Sequence, residues 1–233
     1  MSRFAFFLRQ LVRQRSWLWL LLLGVVVPWG IFLKASSEIE EKEGFPGDNL
    51  VLRWVHGHAT PVLDMLNLWL SRVGGPLPMA GVSLCIGGWL LWRKQPRQAR
   101  FFGAAVGGAA LLNLLAKGLL GRPRPAFWVS LAPETSSSFP SGHAMGSAAL
   151  VLALGLLLAR GRGHWLAWGA GALFVAGVGF SRVYLGVHYP SDVLAGWTAS
   201  VGWVTGLYLV LPPGSPRLND RRPLQSNSRN IYR

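Results

Sequence analysis

Cysteine is almost missing from this chain of 233 residues: Cys85 stands alone. One thiol excludes an intrachain disulfide and any cysteine-rich metal site. Acidic residues are also scarce, 9 against 23 Lys and Arg, and only 14% of all residues carry charge. So little charge in a chain that is 51% hydrophobic excludes an ordinary soluble domain, and the length leaves no room for several domains. What the chain has in quantity is Trp, with 12, and Gly, with 29. The first suits anchoring at a membrane interface, the second close packing of helices within a bilayer. The net charge of +14 is of the kind nucleic-acid binders carry, but its distribution argues against that class.

Apolar runs cover residues 17–33, 73–92, 101–120, 144–159, 165–180 and 193–211. Each lies near the ~20 residues that cross a bilayer, and backbone groups in lipid must be satisfied within the segment, so all six read as helices. The first run is followed by Ala35-Ser36-Ser37, as in a cleaved leader, yet it is long for one and reads as a membrane helix. The expected fold is therefore all-α: a polytopic bundle of six transmembrane helices with short interfacial helices on the outer side. Placed on alternating crossings, Arg3, Arg9, Arg13, Arg15, Arg93, Lys94, Arg97, Arg100, Arg160, Arg162, Arg217, Arg221, Arg222, Arg229 and Arg233 share one side with a single acid, Asp220. The opposite side is balanced. Positive loops stay in the cytoplasm, which predicts a multi-pass protein of the cell (inner) membrane with both termini cytoplasmic. The positive charge is thus topological, and no nucleic acid partner is expected.

Residues 1–211 read as one membrane-embedded domain and 212–233 as a disordered cytoplasmic tail rich in Pro, Arg, Asn and Ser. Residues 34–72 fall outside the membrane, with a solvated acidic stretch, a turn at 44–47 and helical spacing from Asn49 that Pro61 interrupts. His56 and His58 lie there two apart without further ligands nearby and read as solvated or interfacial.

Three outer stretches carry chemistry. In Lys117-Gly-Leu-Leu-Gly-Arg122-Pro123-Arg124-Pro125, cations gather where the third run ends. Cations at membrane depth mark function more often than not, and Lys and Arg both suit phosphate oxygens. In Ser136-Ser137-Ser138-Phe139-Pro140-Ser141-Gly142-His143, Ser138 or Ser141 caps the fourth helix and Pro140 suits its first turn. The amides of Ser141, Gly142 and His143 would then form an anion site at the positive end of the dipole. A cap explains the Ser and Pro but not the histidine. In the third stretch, residues 181–192, Pro190 starts the sixth helix and Asp192 lies in its first turn. His188 stands four positions upstream of Asp192, which can hold one ring nitrogen and leave the other as a nucleophile.

These stretches resemble the signature of the type 2 phosphatidic acid phosphatase family. Lys, six residues and Arg-Pro is matched by Lys117 and Arg124-Pro125; Pro-Ser-Gly-His by 140–143; Ser-Arg, five residues, His, three residues, Asp by Ser181, Arg182, His188 and Asp192. The resemblance implies a metal-independent hydrolase, without cofactor, acting on a membrane lipid phosphate at the periplasmic or external face. It implies His188, His143 and Asp192 as catalytic residues (nucleophile, proton donor and orienting carboxylate). Lys117, Arg124, Ser141, Gly142 and Arg182 would hold the phosphate. Arg122 falls outside the motif and is kept as an accessory candidate. The implied substrates are undecaprenyl pyrophosphate or phosphatidylglycerol phosphate, with phosphatidic acid behind them. A phosphotransferase using the same site is the alternative chemistry. A membrane transporter is the rival of another class, disfavoured because the ionisable residues gather at one face and not near the midplane.

Overall fold

The computed structural model describes residues 16–41, 45–158 and 164–214. These form eight helices: α1 (Ser16–Glu40), α2 (Asp48–Gly57), α3 (Pro61–Val73), α4 (Pro76–Trp92), α5 (Pro96–Leu120), α6 (Gly142–Leu158), α7 (His164–Tyr184) and α8 (Pro190–Val210). No strand occurs among the described residues. The basic residues expected at the N-terminus, Arg160 and Arg162, and the tail from residue 215 lie outside them.

Proline writes much of this layout. Pro61, Pro76, Pro96 and Pro190 each open a helix at its first position, where the missing N–H has no partner to lose and φ is already helical. Thr60 adds a cap to α3, its hydroxyl accepting from the Leu63 N–H at 3.3 Å. Pro28 sits inside α1, directly after a π-helical stretch at Leu22–Val26. Widening the turn there accommodates a ring that would strike the carbonyl four residues earlier. Gly121, with φ at 54°, ends α5 in the left-handed conformation that glycine adopts without penalty.

α1, α5, α7 and α8 are long and apolar enough to cross a membrane. α3 and α4 pass the same test only together, with a 44° bend between them, and α6 has 17 residues. The six expected crossings therefore rest on four helices of full length, one bent pair and one short apolar helix. α1 extends beyond the run that signalled it, because Ala35 and Ile39 on one face pack with Phe139 and Ala195.

The short α6 is the centre of the bundle, packing against α5, α7 and α8. Its Met145, Ala149, Leu150 and Ala153 meet Phe101, Phe102, Ala105 and Ala109 of α5 and Ala199 and Val204 of α8. Small residues at these contacts let the helices approach closely. Around this core, Trp17, Trp19, Leu33, Leu114, Trp165 and Leu173 are exposed on the outside of the bundle, an apolar rim suited to lipid.

Candidate active site

Every expected site residue lies at one end of the bundle, on the end of α5, the 121–141 loop, the start of α6, the end of α7, the 185–189 turn or the start of α8. The turn is forced tight by Gly186, whose φ is 68° and where a Cβ would fall 2.6 Å from the Trp128 ring. Only glycine fits both conditions. This turn brings His188 back over α8.

His188 is buried, and its Nδ1 lies 3.4 Å from Oδ2 of Asp192. Asp192 stands third in α8 and accepts the Tyr189 N–H at 2.9 Å on the same oxygen. Ser138 donates its hydroxyl to that oxygen as well. The other oxygen accepts from Arg122 at 2.5 Å. Asp192 is thus saturated with donors, which favours the ionised form. The opposite ring nitrogen of His188, Nε2, faces Arg124 Nη1 at 3.2 Å. An arginine can only donate, so Nε2 carries the lone pair and the Nδ1 proton points to Asp192. Burial pushes the His188 pKa down to about 4, outweighing the hydrogen bond and the charge of Asp192 that raise it. The ring is neutral at neutral pH.

Arg124 faces Nε2, and Arg182 and Lys117 share partners with Arg124 at Glu134 and at Ser136 and Ser137. Arg124 donates to the Ser136 carbonyl at 2.7 Å and the Val187 carbonyl at 2.6 Å. Arg182, on the last turn of α7, is buried and donates to the Ser71 hydroxyl, while its Nε has no partner among the described residues. Lys117 donates to the Ser137 carbonyl and to the Ser136 hydroxyl at 3.3 Å. Both arginines also bind Glu134, which lies 3.8 Å from Nδ1 of His143. Burial pushes the Glu134 carboxyl up, but Arg182 and Arg124 pull it further down, below the ordinary range.

The start of α6 differs in detail from the expectation. The helix begins at Gly142, so Pro140 precedes the first turn. Ser141 caps it through a long contact, 3.5 Å from the Ala144 N–H, and its own N–H donates to the Asp192 carbonyl at 3.1 Å. That amide is therefore not free for an anion, and the Gly142 and His143 amides are what remains. Gly142 makes room for Asn113, whose Oδ1 would lie 3.1 Å from a Cβ there. Ser181 turns to its own helix, donating to the Val178 carbonyl at 2.7 Å.

Arg122 faces the back of Asp192. Besides that carboxylate it binds Asp48 at 2.9 Å and the Ser191 hydroxyl at 2.9 Å, and it lies 3.9 Å over the Tyr189 ring. Sequence reasoning missed Glu134, Asp48 and Ser71, and gave Ser138 only a capping role. Glu134 had a signal, being the one acid between Asp64 and Asp192. Ser71 had none. His56 and His58, the other histidine pair, are exposed: one stacks on Trp128 and the other bonds to the Trp54 carbonyl.

Residues 98–214 match the PAP2 superfamily. The chain is 29% identical over 143 residues to phosphatidylglycerophosphatase B of Bacillus subtilis, covering 59% of this chain and 70% of that protein. It is 26% identical over 211 residues to an undecaprenyl-diphosphatase of Sulfolobus acidocaldarius, covering 87% of this chain and 95% of that one. A transmembrane PAP2 type phosphatidylglycerolphosphate phosphatase from Bacillus subtilis, known from its crystal structure, superposes with a TM-score of 0.73 at 24% identity. The match covers 84% of this chain and 98% of that chain, which establishes a shared fold.

Proposed function

This chain belongs to the PAP2 superfamily, and on that footing we propose that it is an integral membrane phosphatase that hydrolyses a lipid phosphate through a phosphohistidine intermediate. The observation that carries the reading is the orientation of His188, with Nδ1 turned to Asp192 and Nε2 turned to Arg124. A neutral imidazole whose unprotonated Nε2 faces Arg124, with Arg182 and Lys117 close to that arginine, is arranged to attack a phosphorus atom that the cations hold.

In the first step Nε2 of His188 bonds to phosphorus in line, and the bond from phosphorus to the lipid oxygen or leaving phosphate breaks. His143 gives the leaving oxygen its proton. In the second step water attacks phosphorus and gives its proton to His143, the phosphorus–nitrogen bond breaks, and inorganic phosphate leaves. Lys117, Arg124 and Arg182, with the Ser141 side chain and the Gly142 and His143 amides, hold the phosphoryl oxygens and offset the charge that builds on them. The partnerless Nε of Arg182 supports its place among these donors. Glu134 occupies guanidinium groups that a phosphate also needs. An entering phosphate takes them over, and the released carboxylate then stabilises the charged form of His143.

Six crossings, both termini in the cytoplasm and a site on the extracytoplasmic face complete the proposal; the one-sided basic residues support it. A site at that interface accepts a headgroup laterally while the tail stays in the bilayer. Undecaprenyl pyrophosphate and phosphatidylglycerol phosphate are the favoured substrates, in line with the names of the relatives.

The test is phosphate release by detergent-purified protein with EDTA present, over undecaprenyl pyrophosphate, phosphatidylglycerol phosphate and phosphatidic acid. Release is expected to survive EDTA and to vanish in a folded His188→Ala variant, because side chains, not a metal ion, neutralise the charge. Turnover by that folded variant removes His188 from the nucleophile role. Loss of lipid phosphate without inorganic phosphate points to a phosphotransferase.

A further inference from the structure

The end of the bundle opposite the candidate site holds a cavity of about 370 Å³ where α4 turns into α5. Arg93, Lys94, Arg97 and Gln98 line it, and Pro213 and Gly214 close one wall. Arg97 and Lys117 stand 20 positions apart on α5 (117 − 97), roughly 30 Å at the rise of an α-helix.

Charge alone would not single this place out, since basic residues gather at one end of many membrane proteins. Four further observations do. Among the described residues no acid lines the cavity, and Arg93, Lys94 and Arg97 form no ion pair there. α5 starts without a side-chain cap on Gln95, so the Arg97 and Gln98 N–H groups at the positive end of a long helix have no intrahelical acceptor. Gln98 is only 7% exposed, yet its side-chain amide makes no hydrogen bond to a described residue. Its polar atoms are not among the buried unpaired ones, and the residue lines the cavity, so the amide is open to a ligand there. Finally, Lys94 has φ at 54°, a left-handed position after a helix where glycine is usual. A lysine there adds charge to the cavity rim at a backbone cost.

From these we propose that the cavity is a binding site for a phosphate-bearing anion, distinct from the catalytic end. Arg97, the free amides and Gln98 supply a converging set of donors, and the volume falls in the lower range of small-ligand pockets. Trp89 and Trp92, both exposed, flank the turn, and Arg93 lies 5.8 Å over the Trp89 ring. Exposed tryptophans at this level are typical of the headgroup region, so the phosphate of an anionic phospholipid is the natural source.

Native mass spectrometry of the full-length protein in detergent tests this, with phosphatidylglycerol against phosphatidylcholine. Phosphatidylglycerol is a diester without a phosphomonoester to hydrolyse. The wild type is expected to retain phosphatidylglycerol that phosphatidylcholine does not replace. Arg97→Gln, an exposed change that spares folding, is expected to weaken retention about tenfold, the worth of one charge-assisted hydrogen bond. Gln98→Leu should act in the same direction, and Arg182→Gln at the catalytic end should leave retention unchanged. Displacement by millimolar inorganic phosphate would show that the phosphate group alone is read, and resistance to it that the lipid is required. Equal retention of both lipids, or phosphatidylglycerol retained by Arg97→Gln as by the wild type, overturns the proposal.

Discussion

With 1% of its surface exposed, the His188 ring is kept from water, and burial lowers its pKa from 6.5 to about 4 despite the Asp192 carboxylate beside it. This has a consequence for stability. As pH falls through 6.5 the unfolded chain protonates this imidazole, whereas the folded chain does so only near 4. Between those values the unfolded state binds more protons, so stability falls as pH falls, by up to the order of 3 kcal/mol from this residue. In detergent, the unfolding midpoint of the wild type should drop between pH 6.5 and 4 more steeply than that of His188→Gln. Parallel curves would mean that the ring is not buried neutral. The residues of the three motifs were legible because their chemistry and order were. Ser138 and Glu134 were not, since a serine beside a carboxylate and an acid on an irregular loop find their partners only through chain folding.

Between elements, the least visible feature in the sequence is the bridge from α2 to α8. Asp48, first in α2, accepts the Ser191 N–H at 3.0 Å and the Ser191 hydroxyl at 2.5 Å, and Arg122 joins it to Asp192. The bridge ties an outer helix to the carboxylate behind His188. Residues separated by 74 and 70 positions meet here, and no periodicity forecasts that. Arg122→Gln leaves two buried carboxylates without their cation, a change that typically costs about 3–5 kcal/mol. Thermal unfolding in detergent should show a large loss for this variant, and an unchanged midpoint would contradict the bridge. The start of α8, by contrast, was readable from Pro190, whose effect is local, while Pro61, read as an interruption, proves to open α3. The reach of α1 to Glu40 was not, because the polar residues after Leu33 hide that Ala35 and Ile39 share a buried face.

For the whole molecule, hydropathy reported the bundle well because lipid imposes the same demand on every crossing helix. The shortness of α6 was already visible in the run 144–159, but the 44° bend between α3 and α4 was not, because it follows from how the helices pack. Opposite ends of the bundle lead to opposite sides of the membrane in the topology proposed. In a Cys85→Ser background, Asn49→Cys should react with a membrane-impermeant maleimide on intact cells, while Lys94→Cys should react only after permeabilisation. The reverse pattern would turn the molecule over and place its site in the cytoplasm.

The proposed reaction is covalent: phosphorus passes through a bond to Nε2 of His188. Protein mixed with a lipid carrying radiolabelled phosphate and quenched in alkali within the first turnover tests it directly. Label is expected on the protein, stable to base, lost in acid, mapping to the peptide that contains His188, and missing from His188→Ala. Full release of inorganic phosphate with no labelled protein at any time in the first turnover would contradict it, and would assign the attack on phosphorus to water.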